Sequence, residues 1–325
     1  MKNAYKAAQA QAAVVDCSDW GRVRVSEADR IRFLHNQTTN DFQGLQTGQG
    51  CETVFVNSTA RTLDLVGAYV DTESVLLLTS PGLQTQLIEW MDRYIFFADK
   101  VKLADVTDQT FAFRVIGPQA AETLAQLGIA NQVGGLTSPG QHTEVTLMEA
   151  PVKVAVGCGL ALPGYTLIGP QDQAETIWQA LTTAGAAVLD ISDWERLRIE
   201  QGRPLPGQEL TEDDNPLEAG LWHAISFEKG CYIGQETIAR LNTYQGVKKQ
   251  LWGLKLGEIA PVGSDITYQG DKIGRLTSVT DTPDGPIGLG YIRTKSGGAG
   301  ITVLIGETTA TVVDVPFLSR GYLAS

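Results

Sequence analysis

Cys231 is the residue with the most chemistry within reach. It stands in Lys229-Gly230-Cys231-Tyr232-Ile233-Gly234-Gln235-Glu236-Thr237-Ile238-Ala239-Arg240, two residues after a cation and just before a predicted helix. The thiolate, not the thiol, is the nucleophile, and a nearby cation and the positive end of a helix both favour it. Lys229 and Arg240, the latter one or two turns along the helix, supply such a field. The same residues also suit a plain loop-to-helix junction. Gly230 and Gly234 then permit a tight turn, Glu236 and Arg240 pair at i,i+4, and Cys231 packs as a small hydrophobe. Spacing alone leaves both readings open.

The remaining cysteines, Cys17, Cys51 and Cys158, stand far apart, with neither a CxxC pair nor zinc-ligand spacing. A disulfide framework is not expected in a chain of this size and apparent compartment. His35, His142 and His223 each lack a nearby partner at metal-ligand spacing, so the expectation is that they pack or cap. If an iron–sulfur cluster is involved, one or two cysteines cannot complete its usual four-ligand set, and a partner or second subunit must supply the rest.

The elements that position these residues read as α+β. Residues 75–78, the turn Thr79-Ser80-Pro81 and residues 83–94 predict strand, turn and helix, with Ser80 as N-cap and Pro81 in the first turn. The grammar recurs where Ile116-Gly117-Pro118-Gln119 and Ile168-Gly169-Pro170-Gln171 each lead from a strand into a helix. Further strands are predicted over 53–56, 63–70, 145–148 and 152–156, and no phosphate-binding glycine motif follows any of them. After about Gly246 glycine becomes dense, and six short β-prone runs follow: 250–256, 266–269, 273–279, 287–292, 301–305 and 308–315. These predict a small barrel or sandwich. The expected organisation is an α+β domain over 1–245, with a split into two subdomains near 110 left open, and a β-domain over 246–325. Lys248 and Lys249, near the boundary, read as solvated linker charges.

The 325 residues carry a formal charge of -12 and a pI near 4.7, which argues against a broad basic surface for nucleic acid and favours protein partners. The N-terminal stretch, with Lys2 and Lys6, has no apolar core of signal-peptide length, and no apolar run is long enough to span a bilayer. The expected location is the cytoplasm, or the stroma or matrix of an organelle.

The motif around Cys231, Lys-Gly-Cys-Tyr-x-Gly-Gln-Glu-x-x-x-Arg, resembles the signature of the YgfZ family of folate-binding proteins, relatives of the T-protein (aminomethyltransferase) of the glycine cleavage system. Residues 197–221 resemble T-protein too, including Leu197-Arg198-Ile199-Glu200, Pro204-Leu205-Pro206-Gly207-Gln208-Glu209-Leu210 and Asn215-Pro216-Leu217-Glu218-Ala219-Gly220-Leu221. So do Asp16-Cys17-Ser18-Asp19-Trp20-Gly21 and residues 33–42. The resemblance implies a folate-binding α+β region of ferredoxin-like units followed by a C-terminal β-barrel. It further implies tetrahydrofolate or a one-carbon derivative as cofactor, and support of iron–sulfur enzymes, including those that modify tRNA. Iron–sulfur client or assembly proteins are then the partners, with no direct nucleic acid and no membrane.

A reduced folate presents its pterin N3–H and 2-amino group side by side, and one fixed carboxylate can accept both bonds. By its place in the resemblance, Glu200 is the pterin ligand, unless it merely pairs with Arg196, Arg198 or Arg203 at the helix end. Lys229, Tyr232, Gln235 and Arg240 are assigned with it to cofactor binding, and Cys231 and Asp64 to catalysis. Glu200, Asp64 and Cys231 are expected to line one central cleft.

Departures from T-protein are specific. Where T-protein has paired aspartates, this chain reads Arg61-Thr62-Leu63-Asp64-Leu65-Val66, and a one-residue shift of register decides which way Asp64 points. Asp19 replaces a histidine, Thr79-Ser80-Pro81-Gly82 replaces an Asn-rich turn, and Gly157-Cys158-Gly159-Leu160-Ala161-Leu162-Pro163-Gly164-Tyr165 replaces a Gly-Tyr-Thr-Gly-Glu-Asp-Gly segment. Three readings follow. The first is a YgfZ-type protein using Cys231, the second a folate-dependent aminomethyltransferase using Asp64. The third is a non-catalytic interaction protein with a vestigial pocket, Glu200 held by arginines and Cys231 buried.

Overall fold

The computed structural model describes residues 4–323, so Lys2 of the N-terminal stretch lies outside the described residues. By its contacts the chain groups into two compact units, one running to Thr53 and over Leu65–Trp194, the other comprising Val54–Asp64 and Glu195 onward. No helix among the described residues is long and apolar enough to cross a membrane.

The first unit holds a six-stranded sheet in the order Ala187–Val188, Ala13–Asp16, Thr110–Ile116, Gly164–Pro170, Ala150–Val156, His142–Leu147. Its core gathers Phe111, Phe113, Val115, Val154 and Leu167 from the strands. Leu124 from the helix Ala120–Gln126 and Ile177 and Leu181 from the helix Ala174–Thr183 join them, so these helices bury their apolar stripes on that face. The two Ile-Gly-Pro-Gln strands are antiparallel neighbours, Gly164 facing Ile116 and Pro170 facing Thr110.

A second sheet includes Trp20–Ser26 between Ser74–Pro81 and Lys102–Asp105. Here a predicted boundary moves. Ser80 and Pro81 do not cap the helix but end the strand, because the ladder continues until Trp20 faces Pro81. Helix Gln84–Asp92 starts after Leu83, whose N–H donates to the Ser80 carbonyl at 3.2 Å. Asp71 accepts from Lys153, and His142 Nε2 lies 3.4 Å from it, which ties the two sheets of this unit together.

In the second unit the six β-prone runs close into a barrel: Lys249–Leu256, Ile287–Arg293, Asp271–Thr280, Asp265–Tyr268, Thr302–Ile305 and Thr308–Val313, the last pairing with the first. Alternation divides the strands cleanly. Trp252, Leu254, Ile266, Leu276, Ile292, Val303 and Val312 fill one cluster, while Leu251, Leu289 and Tyr291 form another with Ile199, Val315 and Leu318. At Gly274 the neighbouring backbone comes so close that a Cβ would lie 1.9 Å from the Tyr291 carbonyl oxygen, which explains one of the many glycines here. The sequence expectation of an α+β aminomethyltransferase-like fold with a C-terminal barrel holds. The linker reading of Lys249 does not. It is the first residue of a barrel strand, its ammonium 2.5 Å from Asp214 and 4.7 Å from the Tyr291 ring centroid.

Candidate functional site

All seven sequence-derived candidates fall in the second unit. The motif folds as predicted, a loop followed by the helix Gln235–Thr243, with Gly234 at the N-cap in the left-handed conformation, φ 81°. A Cβ at Gly234 would lie 2.9 Å from the Asn57 carbonyl oxygen, 3.0 Å from Val56 Cγ2 and 3.1 Å from Ala60 Cα. The motif loop therefore rests directly on the turn that precedes Asp64.

That turn is over-determined. Asn57 Oδ1 accepts from the Thr59 N–H at 3.0 Å, the Thr59 hydroxyl at 2.8 Å and the Arg61 N–H at 3.0 Å, an Asx-type closure. Ala60 carries a positive φ of 61°. The Thr62 N–H donates to the Asp214 carbonyl at 3.0 Å, and its hydroxyl to the Thr211 carbonyl at 3.1 Å. Two residues on, Asp64 shares the face of Thr62 by strand alternation and is fully buried.

Within the motif, the Lys229 ammonium lies 4.8 Å from the Tyr232 ring centroid, both residues nearly buried. Gln235 donates through Nε2 toward the carbonyls of Lys229 at 3.5 Å and Gly230 at 3.4 Å, closing the loop. Tyr232 belongs to a cluster with Ala60, Leu217, Trp222 and Ile238, and burial pushes its phenol well above its ordinary pKa. It stays protonated at physiological pH and serves as a platform, not a proton donor or acceptor in the usual range.

Cys231 is exposed, which removes the reading that places it buried among apolar neighbours. Arg240 is exposed too, and no ion pair joins it to Glu236 among the described residues, contrary to the i,i+4 expectation. Both sit where solvent and a partner can reach them. Lys229 is held back by Tyr232 instead of standing free.

Glu200 is half-buried near the end of the helix Ile191–Gln201 and engaged in at least one polar or electrostatic interaction, as is Asp64. Its neighbour Ile199 packs on the barrel strands with Leu251 and Tyr291. Arg198, one of the three arginines considered as its partner, directs its fully buried guanidinium elsewhere. Glu195 receives it bidentately at 2.8 and 2.5 Å, and Glu209, also fully buried, accepts at 3.0 Å. Gln208, the Ser278 hydroxyl and the Arg203 carbonyl complete its shell at 2.7, 2.9 and 3.0 Å. The sequence gives no hint of this hub, because Ser278 is 80 residues away.

These contacts bring Lys229, Tyr232 and Gln235 together and seat the motif on the turn before Asp64. Glu200 belongs to the helix on the barrel side. Two cavities of this unit, of about 370 and 220 Å³, open beside the barrel strands, and neither is lined by Asp64, Glu200 or Cys231.

Fold and site define a class. The GCVT N-terminal domain family model matches residues 1–229, and the chain belongs to that family. It is 44% identical over 310 residues, 94% of its length and 71% of the other's, to a provisionally named chloroplastic transferase of Arabidopsis thaliana, At1g60990. It is 28% identical to an aminomethyltransferase of Halalkalibacterium halodurans, covering 99% of this chain and 90% of that one. Among solved structures it resembles the glycine cleavage system aminomethyltransferase T of Bartonella henselae, with a TM-score of 0.85 and 22% identity over 98% of this chain and 89% of that one.

Proposed function

We propose that this protein is a YgfZ-type member of its family, binding tetrahydrofolate or a one-carbon derivative and using the Cys231 thiol in support of iron–sulfur client enzymes, tRNA-modifying ones among them. The observation that carries the reading is the complete motif, folded so that an exposed thiol stands just ahead of a helix N-terminus while its Lys229, Tyr232 and Gln235 form a fixed platform. A thiol so placed can reach a protein client.

The residues fit a folate. Glu200 is a half-buried carboxylate able to accept the paired pterin donors, and Asp64 adds a fully buried acid in the same unit. A bound folate would supply a one-carbon unit or the amine that carries it. Glu200 orients the ring and Cys231 remains at the surface, where a client's cluster is the cargo. Supporting proteins are of the assembly or client type, and the strongly acidic surface suits proteins better than RNA.

Equilibrium binding of tetrahydrofolate and its 5-formyl form to wild type and Glu200→Gln tests the pocket. Binding by the wild type, weakened at least tenfold in the variant, is expected, since the amide cannot act as a bidentate acceptor. Absence of wild-type binding would defeat the folate reading. For the thiol, Cys231→Ser is expected not to sustain client-enzyme activity in cells lacking the native protein; full activity would remove its role.

A second reading, aminomethyl transfer to tetrahydrofolate, is favoured by the family relatives named aminomethyltransferase and by the buried Asp64. Turnover of an aminomethyl-lipoyl carrier to methylene-tetrahydrofolate and ammonia would establish it. The changed segments at Asp19, residues 79–82 and 157–165 weigh against that outcome.

A further inference from the structure

Phe96 and Phe97 are neighbours that both face water, the first 72% exposed and the second completely so. They form the tip of the loop between helix Gln84–Asp92 and strand Lys102–Asp105 in the first unit. Among the described residues no other two consecutive large apolar side chains are exposed. Single exposed apolar residues are ordinary, whereas a joined aromatic pair marks a surface that meets something. Trp90 and Tyr94, both half-buried with ring centroids 4.9 Å apart, extend the aromatic surface back along the chain.

The loop's own bonds hold the rings out. The Phe96 N–H donates to Asp99 Oδ2 at 2.9 Å, the Asp99 N–H returns to the Phe96 carbonyl at 2.9 Å, and Asp99 Oδ1 accepts from Arg32 at 2.9 Å. One residue on, the Lys100 N–H donates to Asp29 Oδ2 at 2.9 Å and the Asp29 N–H to the Lys100 carbonyl at 3.0 Å. The loop is thus closed on itself and pinned to the start of helix Arg30–Gln37.

Charge decides what covers it. Glu89, Asp92 and Arg93 stand on the helix side, a sum of -1, and Lys100 and Lys102 on the strand side, a sum of +2. All five are exposed and form no ion pair among the described residues. So small an excess, on a chain of net charge -12, gives little attraction to an anionic lipid surface. Acids on one side of an apolar tip and lysines on the other are instead self-complementary under a two-fold axis, which sets the helix side of one copy against the strand side of its mate. At about 200 Å² per exposed phenylalanine, the rings of two copies bury roughly 700 Å² together. That is below the roughly 1,200 Å² of a stable interface, so the association is reversible.

We infer that a second copy of this chain covers the loop, Phe96 and Phe97 of each copy packing on those of its mate in a reversible two-fold dimer. The contact is made by side chains at the loop tip and extends no strand. It is independent of the folate and thiol readings.

Analytical ultracentrifugation of the full chain from about 1 to 200 μM brackets such an affinity. Wild type is expected to pass from monomer to dimer in that range. Phe96→Ser/Phe97→Ser should weaken association at least tenfold, since central aromatic anchors dominate an interface. Ile259→Ser/Val262→Ser, at another exposed apolar site, should leave it unchanged, with melting temperatures checking that each variant folds. Lys100→Glu/Lys102→Glu and Glu89→Lys/Asp92→Lys should each associate poorly alone and pair when mixed. A wild type that stays monomeric, a dimer that survives loss of both rings, or charge variants that do not pair when mixed overturns the inference. A monomer that pellets with phosphatidylglycerol vesicles, and ceases to in the Phe96→Ser/Phe97→Ser variant, also overturns it and assigns the rings to a lipid surface.

Discussion

A methyl group at Gly234 would have nowhere to go. The position combines φ 81° with backbone contacts on the Asn57–Ala60 turn, so Gly234→Ala is expected to cost about 2 kcal/mol or more, read as a lower denaturation midpoint. Cys231→Ser, at an exposed site, should stay within about 0.5 kcal/mol of wild type in the same assay. The contrast separates motif residues that build the loop from the one available for chemistry. Glu218 offers a pH test. Burial, only partly offset by Lys249 and the Asn215 N–H, raises its carboxyl above the ordinary 4.5. A raised carboxyl makes the native state bind its proton more readily than the unfolded chain, so stability falls as pH rises from 4.5 through the folded value. Glu218→Gln should therefore be more stable than wild type at pH 7, the difference closing below pH 4.5 in chemical denaturation; a difference that widens in acid would refute this. The helix after Cys231 was legible because its signals are local. Lys249 was misread because its partner Asp214 is 35 residues away.

At the scale of elements, the barrel strands were readable because short β-prone runs stand between turn residues and dense glycine, signals that lie within each run. Ser80 misled because a cap signal competed with a ladder that runs on to Pro81, and cross-strand pairing cannot be read from one strand. What ties the helix Ile191–Gln201 to the segment carrying Glu209 is the Arg198 guanidinium, whose bonds to Gln208 and Glu209 span 10 and 11 residues, beyond helical spacing. Arg198→Met leaves Glu209 a buried, uncompensated charge and is expected to cost about 3–5 kcal/mol, whereas Arg198→Met with Glu209→Gln should recover part of that loss. A double-mutant cycle from denaturation midpoints measures the coupling, and strictly additive losses would show that the pair does not act as a unit.

For the whole molecule, charge sets a clear expectation. At about 0.15 M salt and protein up to roughly 10 μM, tRNA mobility in a native gel should not change, because the chain lacks the broad basic surface that non-specific binding needs. Retardation persisting at that salt would contradict the preference for protein clients. The α+β fold with its barrel was visible from composition shifts and motif likeness, but the electropositive cavity beside the barrel strands was not. Lys249, Lys272, Arg275 and Arg293 are scattered over three strands and meet only as the lining of one cavity.

The strand borders carry a consequence of their own. The closed barrel has no row of unpaired amides and carbonyls along its wall. One rim of the six-stranded sheet is only the two residues Ala187–Val188, and one rim of the second sheet is Lys102–Asp105, four residues with a charge at each end. Rims this short, one of them charged at both ends, give an incoming chain almost nothing to extend. At these borders the native protein is a poor seed for cross-β growth, so protection against fibril formation is written into where its sheets stop.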